Sequence, residues 1–272
     1  MQYRLLTLDI DGTLRPGGES VVPRENVEAV CAVQKAGVKV AIATGRCRMG
    51  IPPKMLGRIR PDYWICAAGA QVLDKAGTVL STRTMTNEQM YALVDFFEDY
   101  EYMLGFNFDD GPYVYVNYEL QHQREVQLGG VVYAIDGEDQ DRHLENMPFS
   151  AFGRMPHEAV EEFQKRYGYL GLRFLFYGDD DGCDILTPDQ DKALGLESIC
   201  AASGIDPAEV VSVGDGSNDR DILARAGLGV CVQGGDELAM QAADRSCPPA
   251  AECGVAQLCR EVWPEAFSHE TH

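Results

Sequence analysis

The chain has 272 residues, with 43 acidic against 23 basic side chains and a formal net charge of −20. Hydrophobic residues make up 45% and charged residues 24%, the proportions of a soluble globular protein with one large or two moderate domains. So acidic a surface argues against nucleic acid and anionic membranes as partners, yet permits a small anionic ligand where a metal or a few local cations invert the field.

The first third alternates strand and helix. Arg4–Asp9 reads as a buried strand and Pro23–Ala36 as a helix, with Val27, Val30 and Val33 on one face and Gly37 at its end. Val38–Thr44 is a second buried strand, Arg46–Arg60 a helix interrupted at Pro52-Pro53, and Tyr63–Ala68 a third strand. This order predicts an α/β, doubly wound, Rossmann-like core with a parallel sheet.

The pattern then changes. Gln71–Asp74 and Thr78–Thr82 flank a hairpin turn, and Asn87–Tyr100 is an amphipathic helix. Tyr102–Phe108, Tyr113–Asn117, Val131–Ile135 and Arg173–Tyr177 read as strands, Glu158–Tyr167 as a helix and Asp136–His143 as a polar loop. Asp179-Asp180-Asp181-Gly182 reads as an exposed turn, the weaker alternative being a site for sugar hydroxyls or a substrate cation. Alternation resumes with the helix Lys192–Ala202, the strand Val210–Gly214, the helix Asp219–Ala226, the strand Leu228–Val232 and a last short helix, Asp236–Ala243, before a less regular tail. The expected organisation is a core of residues 1–83 and 185–272 interrupted by an inserted α+β domain, 84–184.

Two acidic strings carry the chemistry. Asp9-Ile10-Asp11-Gly12-Thr13 ends the first core strand and Gly214-Asp215-Gly216-Ser217-Asn218-Asp219 ends a later one. Ligands of open α/β sheets bind at that carboxyl edge. Carboxylates gathered there repel one another unless a hard cation such as Mg²⁺ sits among oxygen ligands. A carboxylate can attack phosphorus, and a second one two residues on, as Asp11 follows Asp9, can protonate the leaving oxygen and then activate water. Each string alone also fits an ordinary strand-to-turn junction. Between them, Thr44 with Gly45 offers a hydroxyl beside backbone N–H groups at the second strand's end, and Lys192 opens a helix.

With these four elements in order, the chain resembles the haloacid dehalogenase superfamily of phosphatases, and is most similar to its Cof-type sugar-phosphatase branch. The resemblance implies Asp9 as nucleophile, Asp11 as general acid/base, and Thr44, Gly45, Lys192 and Asn218 around the substrate phosphate. It implies Mg²⁺ held by Asp9, the backbone carbonyl of Asp11, and Asp215, with Asp219 near the metal or its waters. The insertion between Thr44 and Lys192 matches a C2 cap, which selects the leaving group. Relatives commonly carry Asn-Gly-Ala where this chain has Ala68-Gly69-Ala70, and Asn-Ala where it has Gly234-Gly235. The implied activity is hydrolysis of a small phosphorylated metabolite. A phosphomutase sharing the aspartyl phosphate and a non-catalytic phosphometabolite-binding regulator are the alternatives.

Nine cysteines with no Cys-x-x-Cys pair indicate neither zinc nor disulfides. Most lie in apolar runs, the count is odd and no secretory leader is apparent, so the expected location is the cytoplasm. No apolar run approaches membrane-spanning length.

Overall fold

The computed structural model describes residues 2–127, 134–176 and 180–268. The chain divides into two compact units, one of residues 1–44, 51–81 and 191–272, the other of residues 45–50 and 82–190.

The first unit begins with β1 (Leu5–Leu8), α1 (Arg24–Lys35), β2 (Lys39–Ala43), β3 (Tyr63–Cys66), β4 (Gln71–Asp74) and β5 (Val79–Thr82). The residues of β1 are buried on both faces, Leu6 and Leu8 in one apolar cluster and Leu5 in another, as expected of a strand inside a parallel sheet. Pro23 caps α1 from outside rather than starting its first turn, and the helix buries Val27, Val30 and Val33. The helix predicted over Arg46–Arg60 does not form; a single 3₁₀ turn, Arg48–Gly50, is followed by hydrogen-bonded turns. Two consecutive prolines remove two N–H donors and block continuation. The stretch is still anchored, because Ile51, Met55, Leu56 and Ile59 are buried in the core.

The second unit contains α2 (Asn87–Asp99), β6 (Met103–Asn107), β7 (Pro112–Val116), α3 (Tyr118–Gln127), β8 (Ile135–Asp136), β9 (Ser150–Arg154), α4 (Ala159–Tyr167), β10 (Arg173–Phe176) and β11 (Gly182–Leu186). Its sheet runs β10-β11-β9-β6-β7-β8, antiparallel except for the parallel β7–β8 pair. Part of the strand predicted over Val131–Ile135, the end of that over Arg173–Tyr177, and Asp179 lie outside the described residues. α2 opens with a capping box in which the Gln89 N–H donates to Thr86 Oγ1 and the Thr86 N–H to Gln89 Oε1. Phe96, Phe97, Phe106, Phe108, Tyr115 and Phe163 fill a core of this unit's own. Asp180 accepts from Arg124 and Arg154 at 2.9 and 2.7 Å and from the Gly182 N–H, so it anchors a turn.

The chain returns with α5 (Lys192–Ser203), β12 (Val210–Gly214), α6 (Arg220–Arg225), β13 (Leu228–Val232), α7 (Glu237–Ala242), β14 (Arg245–Cys247) and α8 (Gly254–Val262). The tail is therefore regular: β14 pairs with β13, and α8 packs on α1. The first unit's sheet runs β14-β13-β12-β1-β2-β3-β4-β5, parallel from β14 to β3.

Candidate active site

The register of the central strands creates the site. Leu8 pairs with Val213 on one side and Ile42 on the other, and the Asp9 N–H donates to the Val213 carbonyl at 3.0 Å. Asp9 thus stands beside the end of β12, where the chain turns into Asp215, with Thr44 just past β2 at the same sheet edge. Asp9, Asp215 and Asp219 each bring one oxygen into a group whose members lie within 4.8 Å of one another. Lys192, the first residue of α5, enters this group with its side chain fully buried. Its Nζ donates to Asp219 Oδ1 at 2.6 Å, Asp9 Oδ1 at 2.8 Å and Asn218 Oδ1 at 3.4 Å. The second Asp219 oxygen accepts from the Asp215 and Gly216 N–H groups, both at 3.0 Å. Asp219 therefore shapes the turn as well as facing the ammonium.

The charges in this cluster do not balance. Among the described residues three carboxylates face one ammonium, with Asp9 and Asp219 buried and Asp215 partly so. Burial pushes the Asp9 carboxyl well above the ordinary range against the opposing pull of Lys192, and Asp219 and Asp215 push it further. Burial, opposed by a hydrogen bond from Thr13 and reinforced by Asp219, raises Asp215 to about 6. Burial alone would neutralise Lys192, but Asp219 and Asp9 outweigh it and hold the ammonium charged above its usual range. A proton or a cation satisfies this arrangement. Hard carboxylate oxygens suit a divalent metal ion, and the three aspartates could hold one.

The turn after β1 is fixed residue by residue. Thr13 Oγ1 donates to Asp215 Oδ1 at 2.6 Å. Gly12 has φ +93°, and a Cβ there would lie 2.1 Å from Asp215 Oδ2, so only glycine lets the two acidic strings meet. The Leu14 carbonyl accepts from Nδ2 of the fully buried Asn26, whose Oδ1 accepts from the Ala256 N–H. Asp11 points elsewhere. Among the described residues its carboxylate is not part of the three-aspartate cluster; it pairs with Arg15 and is 42% exposed. The sequence reading missed Arg15 and Asn26. Asn26 left a signal, a polar residue adjoining the apolar face of α1, whereas nothing in the pattern marks Arg15.

Thr44 is buried; its N–H donates to the Ile65 carbonyl and its carbonyl accepts from the Ala68 N–H. Ala67 and Ala68 both have positive φ, 46° and 50°. Asparagine tolerates this region better than alanine, so alanine at both positions is held there by the surrounding turn. A Cβ on Gly69 would lie 1.9 Å from the Asp191 carbonyl oxygen. The turn therefore touches Thr44 on one side and the start of α5, hence Lys192, on the other. Gly45 follows Thr44 as the first residue of the 45–50 segment in the second unit.

Over residues 6–258 the sequence matches the family of haloacid dehalogenase-like hydrolases. The chain belongs to this family. This HAD hydrolase is 27% identical over 240 residues to a phosphoglycolate phosphatase of Haloarcula marismortui, covering 88% of each chain. It is 24% identical over 251 residues to a pyridoxal phosphate phosphatase of Escherichia coli, covering 87% of this chain and 90% of the other. Its fold matches that of BT1666, a HAD phosphatase from Bacteroides thetaiotaomicron, with TM-score 0.82 and 20% identity over 95% of this chain and 94% of that one. It also matches the subclass IIB sugar phosphatase BT4131, with TM-score 0.81 and 23% identity over 95% and 98%. The HAD chain is a phosphatase of the Cof type, and HAD phosphatases generally use a divalent metal. No helix among its described residues is long and apolar enough to cross a membrane.

Proposed function

We propose that this HAD phosphatase is a Mg²⁺-dependent phosphomonoesterase that hydrolyses a small phosphorylated metabolite through an aspartyl phosphate on Asp9. The observation that carries the reading is the buried Lys192 ammonium clamped between Asp9 and Asp219 beside Asp215, a carboxylate site short of positive charge. An Asp9 oxygen bonds to phosphorus as the bond to the leaving oxygen breaks, and Asp11 gives that oxygen its proton. Water then attacks the acyl phosphate, Asp11 takes the water's proton, and phosphate leaves with Asp9 regenerated. Thr44, Gly45, Lys192 and Asn218 bind the phosphate oxygens and orient the phosphorus toward Asp9. Asp9, the Asp11 backbone carbonyl, Asp215 and Asp219 would hold Mg²⁺, which would screen the repulsion between nucleophile and phosphate and stabilise the transferring group.

The named activities of the relatives differ in leaving group but share a small phosphomonoester, and that is the substrate class proposed. The block of residues 84–184 acts as the cap that selects the leaving group and keeps water from the acyl phosphate until it departs. Its separate aromatic core supports that role. Nine free thiols fit a reducing cytoplasm.

The test is inorganic phosphate release from a panel of phosphorylated metabolites, with Mg²⁺ and after EDTA, together with rapid-quench mass spectrometry of the peptide containing Asp9. Mg²⁺-dependent release and a phosphoryl group on Asp9 are expected. Full turnover in metal-stripped protein, an isomerised phosphate ester in place of free phosphate, or a phosphoryl group on another residue would overturn the reading.

A further inference from the structure

Arg15 has no part in the reaction as proposed, yet its guanidinium is almost buried at the edge of the site, with 12% of the side chain exposed. Nε donates to Asp11 Oδ1 at 2.9 Å and Nη2 donates to the same oxygen. The backbone beneath it is held twice, the Arg15 N–H by the Ile10 carbonyl at 3.0 Å and the Arg15 carbonyl by the Gly12 N–H at 2.9 Å. The neighbouring Leu14 carbonyl is tied to buried Asn26. The fork thus rises from a rigid base, and two charged donors converging on one oxygen hold that oxygen in place.

A carboxylate two residues from Asp9 has an alternative fate. The neighbouring cluster is rich in carboxylates and attracts cations, and Asp11 could turn inward and compete as a ligand. In this chain it does not join Asp9, Asp215 and Asp219. The only cation these contacts bring to the inner cluster is Lys192, and Arg15 supplies a separate one outside it for Asp11.

We infer that Arg15 is a positioning residue that holds the Asp11 carboxyl outside the three-aspartate cluster, in the place from which it serves the leaving oxygen. This rests on the general acid/base role proposed for Asp11. Loss of Arg15 leaves Asp11 present but misplaced, and misplacement by about an ångström can lower a rate by ~100-fold.

The experiment is a double-mutant cycle on the full chain with Mg²⁺, reading kcat/KM, which reports the step in which the leaving group departs. Arg15→Ala, Asp11→Asn and the double variant are each assayed with an alkyl phosphate and with p-nitrophenyl phosphate. Arg15→Ala is expected to lower kcat/KM ~100-fold for the alkyl ester and within about 3-fold for the aryl ester, whose leaving group needs little proton help. In the Asp11→Asn background, Arg15→Ala should have no further effect, because it acts through the missing carboxyl. Arg15→Lys, which keeps the charge and one donor direction, should recover part of the alkyl-ester loss. Arg15→Gln runs the same cycle if the alanine variant fails to fold. Equal losses for both esters, or an alkyl-ester loss that persists undiminished in Asp11→Asn, overturn the inference while leaving the Asp11 role intact. If Asp11→Asn itself does not discriminate between the esters, the Asp11 assignment falls, and the role of Arg15 falls with it.

Discussion

The two units of the chain both gather several carboxylates around one cation, and they expose them differently. In the second unit the nearly buried Arg142 meets three carboxylates, with Nη2 at 2.7 Å from Asp109 and 3.0 Å from Asp110 and Nη1 at 3.5 Å from Glu145, all three largely open to solvent, and it lies 4.9 Å above the Phe108 ring. Asp180 there meets two arginines. In the first unit Lys192 bonds to Asp9 and Asp219, both buried, and Asp215 brings a third carboxylate oxygen within 4.8 Å of theirs. Partial burial works against the Asp110 carboxylate, but hydrogen bonds from Arg142 and Tyr113 hold it below its usual range, whereas Asp9 and Asp215 are pushed up. Carboxylates open to water are screened by solvent, and such a cluster is satisfied as it stands and organises a loop. Carboxylates gathered out of water are incomplete until a further positive charge arrives, and perturbed carboxyls of that kind mark functional sites.

The largest test of this contrast is Asp9→Asn, which removes the proposed nucleophile. Turnover should fall by ~10⁴-fold or more, with no phosphoryl group on the peptide containing residue 9, followed by phosphate release and mass spectrometry. Lys192→Met attacks the balance itself. Deleting the Lys192 ammonium from a buried carboxylate cluster should lower unfolding free energy by ~3–5 kcal/mol in the metal-free protein, measured by urea titration. Added Mg²⁺ should restore part of that loss; no recovery would mean that the cluster does not take a divalent cation.

Metal removal sharpens the comparison without mutation. A cation that binds only the folded state stabilises it by about 2.7 kcal/mol at 100 times its dissociation constant. Mg²⁺ should therefore raise the unfolding midpoint of the wild type and leave Asp215→Asn nearly unmoved. The pH dependence has a definite sign. The Asp215 pKa is raised from 3.8 to about 6 in the folded chain. The protonated form is thus favoured by folding, and this contribution is full below about pH 4 and lost as pH rises through about 6. Metal-free protein should lose stability across that window relative to Asp215→Asn, and saturating Mg²⁺ should cancel the difference. For the exposed cluster, Arg142→Ala should lower stability by ~1–2 kcal/mol through lost hydrogen bonds and ring contact, with the Mg²⁺ response unchanged.

Sequence and structure agree where residues carry a periodic or chemical signal. β12 and β13 match the predicted Val210–Gly214 and Leu228–Val232, because buried parallel strands are continuous apolar runs. The predicted site residues Asp9, Asp215, Asn218, Asp219 and Lys192 meet in space, since each stands at a strand end or helix start whose adjacency the alternating pattern dictates. α3 was not foreseen because Tyr118–Gln127 carries no apolar stripe and buries none of its residues. α8 was hidden by its nine-residue length behind Pro248-Pro249 and Gly254, although it buries Val255, Leu258 and Cys259. The Asp11–Arg15 pair was illegible for another reason. A side-chain pairing within one turn depends on backbone direction, which hydrophobic periodicity does not encode.

The smallest prediction tests the solvent-exposed end of the comparison. Asp180 is 36% exposed and receives Arg124, Arg154 and the Gly182 N–H. Hydrogen bonding from Arg124, only partly opposed by burial, lowers its carboxyl to about 2. The folded pKa lies below the ordinary value of 3.8, so ionised Asp180 contributes stability that is present above about pH 4 and disappears as pH falls toward 2. Solvent screening and side-chain entropy reduce what so exposed a pair delivers, to under ~1 kcal/mol. Asp180→Asn should therefore unfold slightly more easily than wild type at pH 7, and the difference should shrink on acidification. Its direction is opposite to that of Asp215, whose contribution grows as pH falls. Urea titrations of the two variants from pH 3 to pH 7 should therefore diverge from wild type in opposite senses. If both slopes have the same sign, the distinction between a satisfied cluster and one that awaits a cation fails.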